Sequence, residues 1–331
     1  MTQPKLTILT DPLPIGRCLL PETARRFARN LKYLIKKNSY TGNKTFRGHF
    51  AVTRSLIEGL NKIGVDFNYN PQRLSELAET VVVLAGVRTL RQMIQLKQQN
   101  KIRKLYAGPN IINFSTDYQS ILASPEVDAV IAPSDWVVDH YVTDNPTLKG
   151  RAFSWPAGVD TQYWIGGQTS ERNGILVFDK RRIEDNSELV TPYVDYLRDA
   201  GWRVNVLTRC GDKGYTQEEF RVLLQSSCLM IGFTVGSESQ GIAWAEAWSC
   251  DVPTLIKRNT QQVLHGRHLK VSTAPYLNSQ NGLFFDDYDD FKVQICRFQK
   301  DREQFTPRSW TLANMSDEVC AKQLYDKLFP C

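Results

Sequence analysis

The sequence lacks the long apolar run that a membrane-spanning helix requires. Hydrophobic residues make up 42% of its 331 positions, yet no stretch approaches ~18 uninterrupted apolar residues, so we predict no membrane span. The first residues, MTQPKLTILTDPLP, also lack the basic and then apolar pattern of a signal peptide. Both absences favour a cytoplasmic protein.

Metal-binding patterns of cysteine and histidine are absent too. The seven cysteines and four histidines are scattered, no two cysteines form a CxxC pair, and no His–Cys cluster has the spacing of a zinc site. This distribution is typical of reduced thiols in a cytoplasmic protein. His140, His265 and His268 have no partner pattern, and we interpret them as structural.

Acidic residues are scarce in the first 50 positions, which carry ten Lys/Arg and only two Asp/Glu. The net charge of this region is therefore +8, and since the whole chain carries +6, the remainder carries −2. No zinc finger or RNP motif accompanies the basic region, so we do not expect nucleic acid as a partner.

The basic region contains a predicted amphipathic helix at residues 21–37, PETARRFARNLKYLIKK. Phe27, Leu31, Leu34 and Ile35 share one side of this helix, and the basic side chains fall largely elsewhere. Such a helix can lie on an anionic membrane surface, which predicts a peripheral membrane contact. The alternative is that its apolar side packs on the core of the first domain.

Short β-rich runs alternate with helical runs along the chain. The predicted strands of the first half are KLTILT, VDFNYN, TVVVLAG, KLYAG and VDAVIAPS, and those of the second half are GILVFD, WRVNVLT, CLMIGFT and PTLIK. An amphipathic helix is predicted at RGHFAVTRSLIEGLNKIG, and Ser134 is a good N-cap for the helix that follows it. Strands alternating with helices predict parallel sheets covered on both faces.

The alternation is interrupted at 145–173, which is rich in Gly, Pro and polar residues and is predicted to be a linker. We therefore expect two Rossmann-like domains, 1–150 and 151–331, with parallel sheets facing an interdomain cleft. Ligands bind beyond the carboxyl ends of the strands in such sheets. The last predicted helix, about 316–329, has Ser316 as its cap, and it is the segment that would pack back on the first domain.

The stretch SESQGIAWAEAWSCDVP, residues 237–253, follows the predicted strand CLMIGFT and contains two glutamates, Glu238 and Glu246. Its helix is predicted to begin near Gln240, and a helix N-terminus suits a phosphate. Gly241 has no side chain to block a ligand there. Glu246 lies about two turns into the helix among Ala and Trp, where a buried carboxylate needs a hydrogen-bond donor such as a ribose diol.

This stretch resembles the E-x7-E motif of the retaining GT-B glycosyltransferases of group 1, the family 4-like type. Three further segments are similar to that family, in the family's order. WPAGVDTQYW resembles its interdomain P-x-G-V-D segment, APYLNSQNGLFFDDYDDF its G-l-f-x-x-x-D segment, and GHFAVTRSLIEGLNKIG its glycine-led first helix.

The resemblance implies roles for individual residues of this chain. Glu238 would contact the hydroxyls of the donor sugar and would be catalytic, and Glu246 would hold the ribose. Ser239, Gln240 and Gly241 would bind the donor diphosphate at the helix start. The nucleotide sugar is a co-substrate, and neither a cofactor nor a metal is implied. Retention would use the donor phosphate as the base toward the acceptor hydroxyl.

The sequence departs from the family at the donor-phosphate segment G-R-x-x-x-K-G, which is replaced by VFDKRRIED. Lys180 directly follows a predicted strand, so we predict that it offsets the charge of the leaving diphosphate, with Arg181 or Arg182 as the alternative. A second departure is Asp251 in place of the usual glycine of C-G-x-P. Asp tolerates a left-handed helix end better than most residues do, so that turn can persist.

Further candidates have weaker support. Arg209 ends a predicted strand and would meet the base or a phosphate. Gly48, His49 and Asn110 are candidates for lining the acceptor side of the cleft. The acidic run DDYDD, residues 286–290, is interpreted as a surface turn outside the strand-end positions assigned to the cleft, rather than as a metal site.

The function predicted from these patterns is transfer of a hexose from a UDP- or GDP-sugar to an acceptor hydroxyl. The acceptor would be a glycan, a lipid-linked glycan or a small molecule. Two alternatives stay open at this point. One is a nucleotide-sugar epimerase or phosphorylase of the same fold, and the other is a catalytically silent sugar-binding protein.

Overall fold

The computed structural model describes residues 5–10, 48–71, 73–168, 172–181, 189–208 and 215–330. These residues belong to two compact units. Unit 1 lies within Met1–Ala132 and Tyr141–Trp155, and unit 2 lies within Pro133–His140 and Pro156–Cys331. The predicted basic helix at 21–37 lies outside the described residues, as do Arg182 and Arg209.

The described strands of unit 1 form one parallel sheet in the order β2-β1-β3-β4-β5-β6. Their bounds are β1 Leu6–Leu9, β2 Phe67–Tyr69, β3 Thr80–Ala85, β4 Lys104–Asn110, β5 Ala129–Ala132 and β6 Ala152–Ser154. Every residue of β1 and β3 is buried, because both faces of a parallel sheet are covered.

Helices connect these strands. The α-helices are α1 His49–Lys62, α2 Val87–Gln98 and α3 Asp135–Asp144. A short helical turn lies at Asp117–Ser120, and the 3₁₀ turns are Leu74–Glu76, Ile121–Ala123 and Pro146–Leu148. The predicted amphipathic helix is confirmed by α1, which buries Leu56, Ile57 and Leu60. Residues of α3 up to His140 are grouped with unit 2.

Unit 2 has a second parallel sheet, whose described strands have the order β13-β10-β9-β7-β8. These strands are β7 Gly174–Asp179, β8 Arg203–Thr208, β9 Ser227–Phe233, β10 Thr254–Lys257 and β13 Gly282–Phe285. Its helices are α4 Thr191–Asp199, α5 Gln217–Gln225, α6 Ile242–Ser249, α7 Tyr288–Asp301, α8 Pro307–Asn314 and α9 Asp317–Leu328. The expected strand–helix alternation is thus confirmed in both units.

The core of unit 2 is built around α6. From Ala243 to Ser249 every residue of this helix is buried, and Trp244 and Trp248 are at most 1% exposed. Phe178 of β7 meets the Trp244 ring edge-on, with a centroid separation of 5.9 Å. A helix that is apolar on all sides belongs inside a domain, and Glu246 is the single carboxylate of this helix.

Some local predictions are wrong or incomplete. The linker prediction is wrong for Ala152–Ser154, which pairs with β5 as strand β6. The chain there is extended although Gly and Pro flank it. Helix α7 was not predicted, because DDYDD, in which it begins, was interpreted as a turn, and α8 was not predicted either. The division into domains 1–150 and 151–331 and the return of the last helix to the first domain stay predictions.

An antiparallel hairpin was also missed. It consists of β11 Gln261–Leu264 and β12 Arg267–Lys270. Its two turn residues, His265 and Gly266, both have positive φ, 49° and 76°, which is the backbone that a two-residue hairpin turn of type I′ requires. The signal was the His-Gly pair, which is a weaker turn signal than Asn-Gly.

Two predicted helix ends are confirmed. Asp251 has a φ of 60° after α6, the left-handed conformation expected where the family has glycine. Ser316 caps α9 by accepting a hydrogen bond from the N–H of Val319 at 3.3 Å. None of the helices in the described part of the chain combines the length and the apolar character that crossing a bilayer requires.

Candidate active site

Lys180 and Glu238, the two predicted catalytic residues, are in direct contact in unit 2. Lys180 directly follows β7, and its N–H donates to the carbonyl of Phe233, the last residue of β9, at 2.9 Å. Its Nζ donates to Oε1 of Glu238 at 2.5 Å. The ion pair therefore lies at the carboxyl ends of two adjacent parallel strands, where ligands of such sheets bind.

The ion pair is largely shielded from water. The side chains of Lys180 and Glu238 are 20% and 19% exposed, and Nζ lies 5.2 Å from the centroid of the buried Trp244 ring. The face of an indole attracts a cation, and charges interact more strongly where water is excluded. A fixed, concentrated positive charge therefore stands next to a carboxylate beside the N-terminus of α6.

The loop 234–241 between β9 and α6 is held by side chains from distant parts of the sequence. Trp136 Nε1 donates to the carbonyl of Glu238 at 3.0 Å, and the Ser134 hydroxyl donates to the carbonyl of Ser239 at 2.6 Å. The N–H of Glu238 donates to the carbonyl of Ser272 at 2.9 Å. Sequence reasoning missed Trp136 and treated Ser134 only as a helix cap, because their partners are 102 and 105 positions away.

Gln240, a predicted donor ligand, uses its side chain within the fold. Its Nε2 donates to the carbonyl of Ala157 at 2.7 Å, and its Oε1 accepts from the N–H of Ala157 at 3.0 Å. The residue is 5% exposed. The structure thus gives the Gln240 amide a structural role in fastening the loop to the chain near Ala157.

Gly241, the N-cap of α6, is constrained by packing as well as by backbone conformation. Its φ is 81°, and a Cβ built on it would lie 2.2 Å from Trp244 Cδ1. The indole of Trp244 occupies the Cβ direction of this glycine, and its role toward a ligand stays a prediction. The glycine lets the helix start pack directly on the tryptophan beneath Lys180.

Glu246 is the fifth residue of α6, so it lies little more than one turn into the helix, not two. It is 8% exposed. Nearby, the hydroxyl of Tyr163 donates to Glu218 Oε2 at 2.9 Å, and the guanidinium of Arg221 lies 4.7 Å from the Tyr163 ring centroid. Burial and the hydrogen bond to Glu218 raise the pKa of Tyr163 to about 12, with a smaller contribution from the charge of Glu246.

The same carboxylate affects Cys250 at the end of α6. Burial raises the pKa of this thiol to about 12, and the charge of Glu246 adds to the shift. Two arginines bind the last carbonyls of this helix region. Arg308 donates to Ser249, and Arg172 donates to Cys250 at 3.1 Å. These contacts satisfy the carbonyls that a helix end leaves unpaired and fix α6, and with it Glu246.

Arg181, another predicted phosphate ligand, differs from Lys180 in its surroundings. Arg181 is held by Asp179, whose carboxylate oxygens accept from its Nε and one terminal nitrogen, both at 2.9 Å. Its charge is therefore already paired in a two-bond contact, the strongest geometry for Arg and a carboxylate. Among the described residues, Lys180 is the basic group of this segment that contacts the predicted site.

The predicted acceptor residues lie in unit 1. Gly48 is the N-cap of α1, with a φ of 57°, and His49 is the first residue of that helix. Asn110 ends β4, and its Nδ2 is buried without a hydrogen-bond partner in the structure. Each of the three lies at a helix start or a strand end. Their roles toward an acceptor stay predictions.

The acidic run DDYDD directly follows β13, a strand that was not predicted. Asp287 caps α7 by accepting from the N–H of Asp290 at 2.9 Å. Asp289 pairs with Lys292 and Asp286 with Arg258. Within the described residues no group of three or more His, Cys, Asp or Glu is arranged to hold a metal ion.

No protein-family model and no curated protein matches this sequence. Solved structures do. Anabaena Alr3699/HepE in complex with UDP and glucose is 12% identical, covers 98% of this chain and 99% of its own, and has a TM-score of 0.52. A glycosyltransferase from Rickettsia africae ESF-5 is 10% identical over 99% of this chain and 100% of its own, with a TM-score of 0.56. The apo form of the lipopolysaccharide outer core galactosyltransferase WaaB is 11% identical over 98% of this chain and 99% of its own, with a TM-score of 0.53.

At such low identities the similarity is one of fold. It extends over nearly the whole chain and so includes both parallel sheets. Enzymes that share a fold can differ in chemistry, and function must be argued from the site. The predicted fold class is confirmed: the chain has the GT-B fold of these glycosyltransferases, with two Rossmann-like α/β units.

Proposed function

We propose that this protein is a glycosyltransferase that moves a sugar from a nucleotide diphosphate donor to an acceptor hydroxyl. The observation that carries the proposal is the contact between Lys180 and Glu238 beside the N-terminus of α6. The cation and the helix N-terminus suit the phosphate and its leaving oxygen, and the carboxylate suits the sugar hydroxyls. Together they match the reacting end of a nucleotide sugar.

Lys180 would stabilise the leaving diphosphate. Breaking the bond between the sugar and the phosphate leaves negative charge on the phosphate oxygen, and a fixed cation lowers the free energy of that transition state. The N–H groups at the start of α6 act in the same direction. In the unliganded protein, Nζ of Lys180 contacts Glu238. When a donor binds, the donor phosphate would contact the same Nζ.

Glu238 would accept hydrogen bonds from hydroxyls of the donor sugar, and Glu246 would bind the ribose. Both assignments follow the resemblance of residues 237–253 to the E-x7-E motif. Retention of the anomeric configuration, with the donor phosphate acting as the base toward the acceptor hydroxyl, also rests on that resemblance.

A UDP-sugar is the first donor to test. Structures of Anabaena HepE in complex with UDP and glucose, and with UDP-glucose, are among the similar ones. GDP- and ADP-sugars are the comparison donors. The proposed acceptor is a glycan, a lipid-linked glycan or a small molecule with a free hydroxyl. The proposed membrane contact through residues 21–37 would bring the enzyme to a lipid-linked acceptor.

The test begins with donor binding. A ligand that binds only the folded protein raises its stability by about 2.7 kcal/mol at a hundredfold excess over Kd, so a thermal-shift panel of UDP-, GDP- and ADP-sugars identifies the nucleotide. Release of the nucleotide from the stabilising donor is then measured for the wild type and for Glu238→Gln. Turnover that is strongly reduced, to a residual rate that can still be measured, supports the proposal. A changed sugar that stays attached to its nucleotide indicates an epimerase, and binding without any turnover indicates a silent sugar-binding protein.

A further inference from the structure

Segment 133–136 follows β5 in the chain and is joined to the Glu238 loop by two hydrogen bonds. Trp136 Nε1 donates to the carbonyl of Glu238, and the Ser134 hydroxyl donates to the next carbonyl, that of Ser239. We propose that Trp136 and Ser134 are positioning residues, which hold the Glu238 carboxylate in its reactive place. This inference rests on the proposed function, because it takes Glu238 as the group that contacts the donor sugar.

The two contacts belong to a closed ring of hydrogen bonds. Glu238 donates its N–H to the carbonyl of Ser272, and Tyr276, four residues further on, donates its hydroxyl to the carbonyl of Pro133 at 2.7 Å. Trp136 then completes the ring at Glu238. Three chain segments that are distant in sequence therefore fix one another around Glu238.

The hydroxyl of Tyr276 remains a donor at every physiological pH. Burial raises the pKa of Tyr276, and the charges of Asp135 and Cys320 act in the same direction. Segment 133–136 is partly shielded from water, since Pro133 and Ser134 are buried and Trp136 is half-buried. Hydrogen bonds in such a water-poor setting are stronger than exposed ones.

The ring fixes the backbone of Glu238. Its N–H and its carbonyl are both bound, each to a different segment, so neither of the two peptide planes that flank its Cα can rotate freely. The origin of the side chain is thereby held at a place from which the carboxylate reaches Nζ of Lys180, 2.5 Å away. Misplacing a catalytic group by about 1 Å can cost about a hundredfold in rate, so loss of one of these hydrogen bonds should reduce turnover.

Trp136→Phe removes the N–H while keeping an aromatic ring. Trp202→Phe is the matched control, because the Nε1 of Trp202 is buried and has no hydrogen-bond partner in the structure. We expect Trp136→Phe to lower kcat of the donor reaction about tenfold, the effect of losing one well-placed hydrogen bond, with KM for the donor and Tm nearly unchanged. Ser134→Ala should act in the same direction, and Ser134→Thr should restore activity.

A double-mutant cycle separates positioning from general damage to the fold. In a Glu238→Ala background, Trp136→Phe should cause no further loss of kcat, because the group that it positions is gone. An equal further loss in that background would overturn the proposal. So would an equal loss of activity in Trp202→Phe.

A second readout does not depend on turnover. Amide hydrogen exchange of the peptide spanning 234–241 should be faster in Trp136→Phe than in the wild type or in Trp202→Phe. Unchanged exchange in this loop overturns the positioning role whatever the activity. If the wild type turns over none of the donors while the loop exchanges faster in Trp136→Phe, the proposed function fails and the structural role of Trp136 in holding Glu238 stands.

Discussion

Nζ of Lys180 and Oε1 of Glu238 lie 2.5 Å apart although 58 positions separate the two residues in the chain. Each comes from the carboxyl end of a different strand of the unit 2 sheet, or from the loop that follows that strand. An ion pair of this kind, mostly shielded from solvent, is sensitive to the loss of either partner, because the remaining charge stays unpaired.

Replacement of Lys180 by methionine should reduce turnover of a nucleotide-sugar donor by about a hundredfold or more, as the loss of one charge partner in a transition state does. Steady-state release of the nucleotide measures it. Lys270→Met is the control, because Lys270 is exposed on β12 and should keep full activity. Full activity of Lys180→Met together with an inactive Arg181→Ala or Arg182→Ala would move the phosphate site to those residues.

Glu246→Gln should weaken nucleotide binding more than it lowers kcat. The variant keeps the volume of the side chain but loses the charge that would accept hydrogen bonds from a ribose, so an affinity loss of about tenfold is expected. Calorimetric titration with UDP measures it. Glu303→Gln, at an exposed position, should bind as the wild type does, and unchanged binding in Glu246→Gln would exclude the ribose role.

Gly241→Ala should lower both stability and activity. The added methyl would lie 2.2 Å from Trp244 Cδ1 at a residue whose φ is 81°, and a clash in a packed core costs about 1–3 kcal/mol on top of the backbone strain. Gly266→Ala is the matched control, because Gly266 has a φ of 76° with nothing within 4 Å of the new methyl. Chemical denaturation should show the larger loss for Gly241→Ala, and equal losses would mean that backbone strain alone is responsible.

Asp128 is expected to account for part of the loss of folding stability at low pH. Burial acts to raise its pKa, but hydrogen bonds from Lys97 and from the N–H of Leu105, with the charges of Lys97 and Lys104, outweigh burial and lower the pKa below its ordinary value. The carboxylate therefore stabilises the folded state above its unfolded pKa of about 4, and this stabilisation is lost as pH falls through the lower folded pKa.

Asp128→Asn should thus be less stable than the wild type at neutral pH, and the difference should shrink as the pH falls below about 4. Urea denaturation across this pH range measures the difference in the free energy of unfolding. Asp326→Asn, on the exposed face of α9, should follow the wild-type profile. A difference that is constant with pH would mean that the Asp128 charge has no part in the effect.

Donor turnover should persist in EDTA. We expect Lys180 and the N-terminus of α6 to provide the charges that stabilise the leaving diphosphate, and we therefore predict a reaction that needs no divalent metal. Nucleotide release with and without the chelator measures this. Complete loss of activity that manganese restores would contradict it, and would direct mutagenesis to Asp286, Asp287 and Asp289 at the end of β13.

Local signals in the sequence account for much of the fold. Buried strands could be recognised as continuous apolar runs, and the helix ends at Ser316 and Asp251 follow from the hydrogen bond and the backbone angle that each residue type favours. Lys180 could be assigned to a strand end because it directly follows such a run. In contrast, β6 was missed because its three residues lie in a Gly- and Pro-rich stretch that gives no periodic signal.

The sequence by itself therefore determined the parallel α/β fold, because that follows from local patterns. It indicated Lys180 by its place after a strand, and Glu238 and Glu246 by their resemblance to the E-x7-E motif. Only the tertiary structure decided that Trp136 and Ser134 hold the Glu238 loop, that Gln240 is used within the fold, and that Arg181 is paired with Asp179. The physical reason is that a hydrogen bond across 102 positions depends on how strands and loops are brought together. No local pattern records whether a polar side chain will meet a partner or remain available for a ligand.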